Sequence, residues 1–329
     1  MTFNIYFNAY IVTLIFDISS PFRAYIVADT PFQCEYVQKL KEISASLMNS
    51  LPTLLTQTPP FLIIFAGIIG VVIGSFLNVV IHRLPKMMAL AWQRELAQDD
   101  TENLPKYNLV TPRSACPHCN HSIGVFENIP IISYVLQKGT CRHCKNLINA
   151  RYLVVEILSG LIVAFITWQF GWSMHTLASS ILALSLLTLT CIDLETQLLP
   201  DNITLPLVWL GLLFNLNQEF TSIESAVLGA VFGYLILWSV YWLFKITTKK
   251  EGMGYGDFKM LAAIGAWLGW TILPLVMLIS SLTASIVGIT LILLKKQDRA
   301  TAIPFGPYLA LAGLIALFKT PTLTQLIGI

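Results

Sequence analysis

Leu182-Ala-Leu-Ser-Leu-Leu-Thr-Leu-Thr-Cys-Ile-Asp193 is an apolar run that ends on a carboxylate, and Leu-Glu195-Thr-Gln-Leu-Leu-Pro200-Asp201 follows it at once. An ionised side chain at the edge of such a run is costly if lipid surrounds it, so what lies around this stretch decides the fold class. Outward from it, from residue 61 to the C-terminus, long apolar runs alternate with short polar gaps. Of the 329 residues 55% are hydrophobic and 12% charged, and the mean hydropathy is +0.70. A soluble domain is about 25% charged. These values exclude a single water-soluble globule, a disordered chain and a secreted disulfide scaffold. They predict an all-α polytopic membrane protein, because a helix satisfies its own backbone in lipid. The net charge of +2 is too small to imply a nucleic-acid partner.

The apolar runs predict about eight transmembrane helices, over 61–82, 152–170, 174–192, 203–217, 224–244, 258–273, 275–294 and 304–320. One long polar stretch, 83–151, interrupts them after the first span. It carries nine basic residues against five acidic ones. The excess of Lys and Arg assigns it to the cytoplasm. Counting spans from there makes 193–202, 245–257 and 295–303 inner loops, and Lys245, Lys249, Lys250, Lys295, Lys296 and Arg299 then fall inside as the same rule requires. Asp193, Asp201 and Asp257 come to one cytoplasmic membrane face. Residues 1–60 contain five prolines and no signal-peptide layout, and read as an N-terminal extension.

Four of the six cysteines form Cys116-Pro-His-Cys119 and Cys141-Arg-His-Cys144, with 21 residues between the pairs. Two CxxC knuckles so spaced can present four thiolates tetrahedrally to one Zn²⁺, and four sulfur ligands leave no open position, so the metal is expected to be structural. A disulfide reading is disfavoured in a reducing cytoplasm. His118 and His143 are expected to be exposed knuckle side chains, Cys191 a buried apolar one, and Cys34 has no partner in sequence.

The carboxylates are the other chemical signal. Helix capping is the bland reading for Asp257 and Asp201, since Asp is a favoured N-cap. It cannot explain Asp193, at a C-terminal end where the helix dipole disfavours negative charge. Asp257 is preceded by Gly252-Met-Gly254-Tyr-Gly256, in which three glycines in five residues permit unusual torsions and close approach by another chain. The spacing is not a dinucleotide fingerprint. Two aspartates sharing a proton can activate water and protonate a leaving group, as in peptide hydrolysis.

Together these residues resemble the type IV prepilin peptidases, bifunctional leader peptidases and N-methyltransferases of the GxGD membrane aspartyl protease class. The likeness runs from about Phe61 to the C-terminus. Four motifs carry it in order: Gly74-Ser-Phe-Leu-Asn-Val-Val-Ile-His-Arg-Leu-Pro85, the stretch from Pro112 through Cys144 including Glu127-Asn-Ile-Pro130, Asp193 through Asp201, and Gly254-Tyr-Gly-Asp257. The resemblance implies that Asp193 and Asp257 are the catalytic pair, with Gly254, Gly256 and Asp201 in support. It implies cleavage of the basic leader of prepilins and pseudopilins at the cytoplasmic face of the bacterial inner membrane, in pilus assembly and type II secretion, then methylation of the new N-terminal residue with S-adenosylmethionine. It divides the chain into the extension 1–60, a first span 61–82, a zinc-binding loop domain 83–151 associated with methylation, and a multi-span peptidase domain 152–329. Glu127, Asn128 and the boundary between the loop and the next span are the candidates for the methyl-donor site. Leu153 stands where the family usually has proline. A protease of the same class that does not methylate, and an ion-coupled transporter with a zinc docking loop, are the alternatives.

Overall fold

The structure, a computed structural model, describes residues 59–96, 107–116, 118–249, 253–294 and 304–327. The extension expected over 1–60 lies outside them except for Pro59 and Pro60, as do Cys34, Lys250, Gly252, Lys295, Lys296 and Arg299. The described residues form α1 (Pro59–Leu96), a short α2 (Ile132–Leu136), α3 (Arg151–Phe170), α4 (Met174–Thr196), α5 (Asp201–Asn215), α6 (Ile223–Thr248), α7 (Tyr255–Leu268), α8 (Leu273–Leu293) and α9 (Gly306–Ile327). There is no strand among them, only two isolated bridges in the cysteine region.

The eight long helices fall on the eight expected runs, but they are not equally able to cross a bilayer. Five segments are long and apolar enough: those containing α1, α3, α4, α6 and α8. α5 has 15 residues and α7 has 14, short of the roughly 20 that a span needs. The run expected over 258–273 stops at Leu268 because Gly269 adopts φ +86, and a separate 3₁₀ turn, Trp270–Ile272, follows. α1 departs in the other direction and continues past residue 82 to Leu96. Pro85 costs it one backbone bond. Beyond that point Met87-Met-Ala-Leu-Ala91 are good helix formers. The polar stretch 83–151 therefore begins as a helical stem, and the cysteine module occupies the described residues from Tyr107 onward.

The core surrounds α7, in which Asp257, Phe258 and every residue from Met260 to Leu268 are buried. α6 crosses it at Gly229 and Gly265, where a Cβ on either residue would collide with the other's backbone. Such close passes between small residues are how helices associate in lipid, where hydrophobicity gives no net drive. Polar ties add to this. Asn215 is fully buried; its Nδ2 donates to the carbonyls of Ala266 and Trp267 (2.9 Å each), while its Oδ1 accepts from the Phe220 and Thr221 N–H groups. Trp267 Nε1 donates to the Leu207 carbonyl at 2.7 Å. Interhelical bonds of this kind contribute about 0.6 kcal/mol each on average. A smaller cluster, Ile81, Leu84, Val155 and Ile192, joins α1, α3 and α4 near the end that carries the carboxylates. Ile64, Ile68, Val72 and Phe76 of α1 and Leu278, Leu282 and Ile286 of α8 face outward, as lipid-facing surfaces do.

Candidate active site

Asp193 lies in the last turn of α4. That helix ends where Gln197 takes a left-handed φ of 54 and its N–H bonds back to the Asp193 carbonyl at 2.9 Å. The Asp193 side chain is 5% exposed. Its Oδ2 accepts from the Gly306 N–H at 2.9 Å, the first residue of α9. A Cβ at Gly306 would stand 2.6 Å from that oxygen, so only glycine lets the backbone come this close. An anion against a helix N-terminus is favourable. α9 thus supplies the compensation that the end of α4 cannot.

Asp257 is the third residue of α7, behind the N-cap Gly254, and is 6% exposed. Its N–H bonds to the Gly254 carbonyl at 3.2 Å, and the backbone N–H of Gly254 in turn supports its carboxylate. Neither aspartate is the N-cap of its helix: Gly254 holds that position in α7 and Pro200 in α5. Asp193 stands near enough for its charge to act on Asp257. Leu199, in the turn after α4, fills the space between the two segments: a Cβ at Gly256 would meet Leu199 Cβ at 2.6 Å, and one at Gly306 would meet Leu199 Cδ2 at 3.3 Å. Residues 64 positions apart in sequence thus come to the same end of the bundle. The glycines contribute close approach rather than unusual torsion, since Gly254 has φ −81 and Gly256 is not among the residues of positive φ.

Two ion pairs brace this end. Asp201 receives Lys259 Nζ at 2.6 and 2.7 Å, which ties α5 to α7. Arg151, at the start of α3, pairs with Glu195, two residues beyond Asp193 on α4.

The cysteine module is built from two copies of one turn. In the first, the Cys116 N–H donates to the His121 carbonyl, the Asn120 N–H donates back to the Cys116 carbonyl, and Asn120 has φ 54. In the second, Cys141, Asn146 and Lys145 repeat the pattern, with φ 59 at Lys145. The four sulfurs lie within 4.8 Å of one another, with Cys116–Cys144 at 3.8 Å and Cys119–Cys141 at 4.0 Å. These separations are far too long for disulfides. They agree with the roughly 3.8 Å edge of a tetrahedron whose Zn–S bonds are about 2.3 Å. Backbone N–H groups of Cys119 and His118 pull the Cys116 thiol down to about 6, and those of Cys144 and His143 lower Cys141. The His121 N–H also lowers Cys119, but burial and the neighbouring sulfurs outweigh it and push that thiol up to about 11. Four sulfurs this close cannot all ionise without a cation among them, and the set fits a divalent metal. His118 and His143 are exposed, and Cys191 is partly buried on α4.

A cavity of about 620 Å³ separates the module from the bundle. Its walls include Asn78 and His82 of α1, Tyr152 and Glu156 of α3, and Glu127 and Asn128 of the module. Arg83 holds the module to α1 by donating to the carbonyls of Asn108 (3.0 Å) and Pro112 (2.7 Å). Glu156 Oε2 accepts the Ile131 N–H at 2.8 Å. Glu127 Oε2 accepts the Gly124 N–H at 3.1 Å, so part of its capacity is spent on its own turn. Asn78 Nδ2 donates to the Tyr152 carbonyl at 2.9 Å, and Asn78 Oδ1 has no partner among the described residues. Gly306, Leu199 and Asn78 are features of these sites that composition and spacing did not single out. The Pro304-Phe-Gly-Pro307 turn is a visible signal for the first, and only the fold reveals the other two.

Residues 180–289 match the family described as the type IV leader peptidase family, and residues 68–170 match the bacterial peptidase A24 N-terminal domain. The chain belongs to the type IV leader peptidase family. It is 52% identical over 261 residues to a prepilin leader peptidase/N-methyltransferase of Aeromonas hydrophila, which covers 78% of this chain and 90% of that protein. It is 49% identical over 275 residues to one of Pseudomonas aeruginosa (82% and 95%), and 49% identical over 267 residues to one of Stutzerimonas stutzeri (80% and 92%). No solved structure matches the chain. For a leader peptidase, the two aspartate segments fall inside the first match, and the cysteine module and the cavity walls fall inside the second.

Proposed function

We propose that the chain removes the leader peptide of type IV prepilins and pseudopilins with Asp193 and Asp257, then methylates the new N-terminal residue with S-adenosylmethionine. The observation that carries the peptidase half is the meeting of two buried carboxylates at a membrane-edge end of the bundle, each beside a helix N-terminus. Two buried carboxylates that feel each other's charge favour a state in which one proton is shared. The unprotonated carboxylate takes a proton from water as the oxygen attacks the scissile carbonyl. The protonated one gives its proton to that carbonyl; as the tetrahedral carbon collapses, the first carboxylate passes the proton it took from water to the departing amine, and the second recovers its proton from the hydroxyl that becomes the new carbonyl. Carboxylates gathered at one end, rather than at mid-membrane, favour this over ion transport.

Arg83, Lys86, Arg113, Lys138, Arg142, Lys145, Lys245, Lys249 and Lys259 all belong to the carboxylate end, whereas Glu219, in the turn between α5 and α6, and Glu224, in the first turn of α6, belong to the other. This distribution supports a cytoplasmic location for the site in the bacterial inner membrane. A substrate with a basic leader is retained on that side by the same rule. The four cysteines hold a structural Zn²⁺, and residues 83–151 act as the methylation-associated domain beside a peptidase domain from 152 onward. The test uses the purified full chain, a synthetic prepilin and S-adenosylmethionine labelled on its methyl group. Leader removal followed by label on the mature N-terminus is expected. Cleavage without label leaves a peptidase alone, and cleavage by a chain carrying both Asp193→Asn and Asp257→Asn overturns the assignment of the pair.

A further inference from the structure

Resting on the methyltransferase half of that reading, we propose that the cavity between α1, the start of α3 and the cysteine module is where the methyl donor and the freed amine meet, with Asn78 orienting the amine. Its volume of about 620 Å³ suits a nucleoside-sized ligand and the end of a peptide together. Asn78 is the pointed observation. It is 4% exposed and lines the cavity. The Tyr152 carbonyl can only accept, so the Asn78 amide must turn Nδ2 toward it and leave Oδ1 as the free end. That oxygen has no partner among the described residues, and a bare buried acceptor is both costly and rare. A primary amine supplies the missing N–H. Glu127 and Glu156 stand on the same walls as Arg113, Arg142 and Arg151, with Arg142 pairing Glu127 at 3.7 Å, so the lining offers both signs of charge to a ligand that carries a sulfonium and a carboxylate.

The position also explains how one chain performs the two reactions in turn. Arg151, on the cavity wall, pairs with Glu195, which is two residues from Asp193 on α4. The end freed at the aspartates therefore stays at the same end of the bundle as the cavity. There the amine, having released one proton to solvent, attacks the methyl carbon with its lone pair. The carbon–sulfur bond breaks with its electrons going to sulfur. The product is a methylated ammonium and a neutral thioether.

The experiment uses the full chain in detergent. Wild-type protein irradiated with tritiated S-adenosylmethionine should carry label in peptides from residues 75–83 or 107–156, and label confined to α4–α9 overturns the proposal. Val79→Trp, which fills the cavity from α1, should weaken S-adenosylhomocysteine binding at least tenfold; unchanged affinity overturns the location. Asn78→Leu should bind S-adenosylhomocysteine normally but raise the KM for cleaved pilin at least tenfold, with a smaller change in kcat. An unchanged KM overturns the role given to Asn78. If wild-type protein cleaves prepilin yet binds no S-adenosylhomocysteine and transfers no label, the methyltransferase reading has failed and the cavity proposal falls with it. The labelling uses unaltered protein, so a misfolded variant does not leave the location undecided.

Discussion

The helical bundle and the cysteine module hold their functional groups in place by opposite means. Around Asp257 nearly every residue of α7 is buried, and the helix is gripped on several sides by α5, α6 and α9. Among the described residues between 107 and 150, only Cys116, Gly139 and Cys141 are buried, while Val110, Val135, Leu136 and Leu147 lie exposed. The bundle positions its acids through packing and backbone donors. The module has almost no core, so four cysteines must do what burial does elsewhere. One chain therefore contains a region whose shape is set by close-packed helices and another whose four gathered cysteines could hold a metal in place of a core.

The sharpest way to break this contrast is to disable one region and watch the other. Asp193→Asn or Asp257→Asn should lower leader cleavage on the order of 10⁴-fold, as removal of one member of a catalytic set does. Methylation of a pilin already cleaved should persist. Both activities failing together would show that the carboxylates support more than the peptidase. Cys141→Ser attacks the other side. Zinc content, measured by elemental analysis, should fall from about one ion per chain, and methyl transfer should drop by at least about 100-fold. Cleavage should survive, because α7 and the end of α4 draw none of their packing from the module.

Gly306→Ala probes how the bundle holds Asp193. The new methyl would stand 2.6 Å from Oδ2, so α9 must retreat and its N–H bond to the carboxylate stretch or break. Loss of such a buried, charge-assisted bond costs about 1–3 kcal/mol. That corresponds to a fall of about 5- to 150-fold in kcat/KM for cleavage, with methyl transfer to cleaved pilin unchanged. A fall in both would mean that α9 also braces the cavity.

The same contrast explains how much could be read from the sequence. The fold class followed from apolar runs whose period and length are local properties, and the cysteine cluster followed from spacing within two short knuckles. Helix ends were less legible. α1 runs on to Leu96 because its residues beyond Pro85 are good helix formers, and α7 stops early because Gly269 turns left-handed. The acid that capping could not explain, Asp193, is the one whose compensation comes from Gly306, 113 residues away. Such a partner is a product of the fold, as are Leu199 packed against Gly256 and Gly306 and the unpartnered oxygen of Asn78. Chemistry carried by residue type was visible from the sequence, and chemistry carried by proximity was not.

The smallest effect is expected at the rim of the bundle, and it decides whether packing alone aligns the acids. Asp201 and Lys259 form a close pair, but their side chains are 52% and 26% exposed. Exposed pairs contribute about 0–1 kcal/mol. Asp201→Asn and Lys259→Met should therefore lower cleavage by less than about fivefold, and 1 M salt, with a Debye length of about 3 Å, should affect the wild type no more than that. If the pair only ties α5 to α7, the two substitutions should be equivalent and the double variant no worse than either single one. If Asp201→Asn alone costs 100-fold while Lys259→Met costs little, then Asp201 acts on the substrate or the water. The site would then hold three working carboxylates, one of them set by a surface contact rather than by the core.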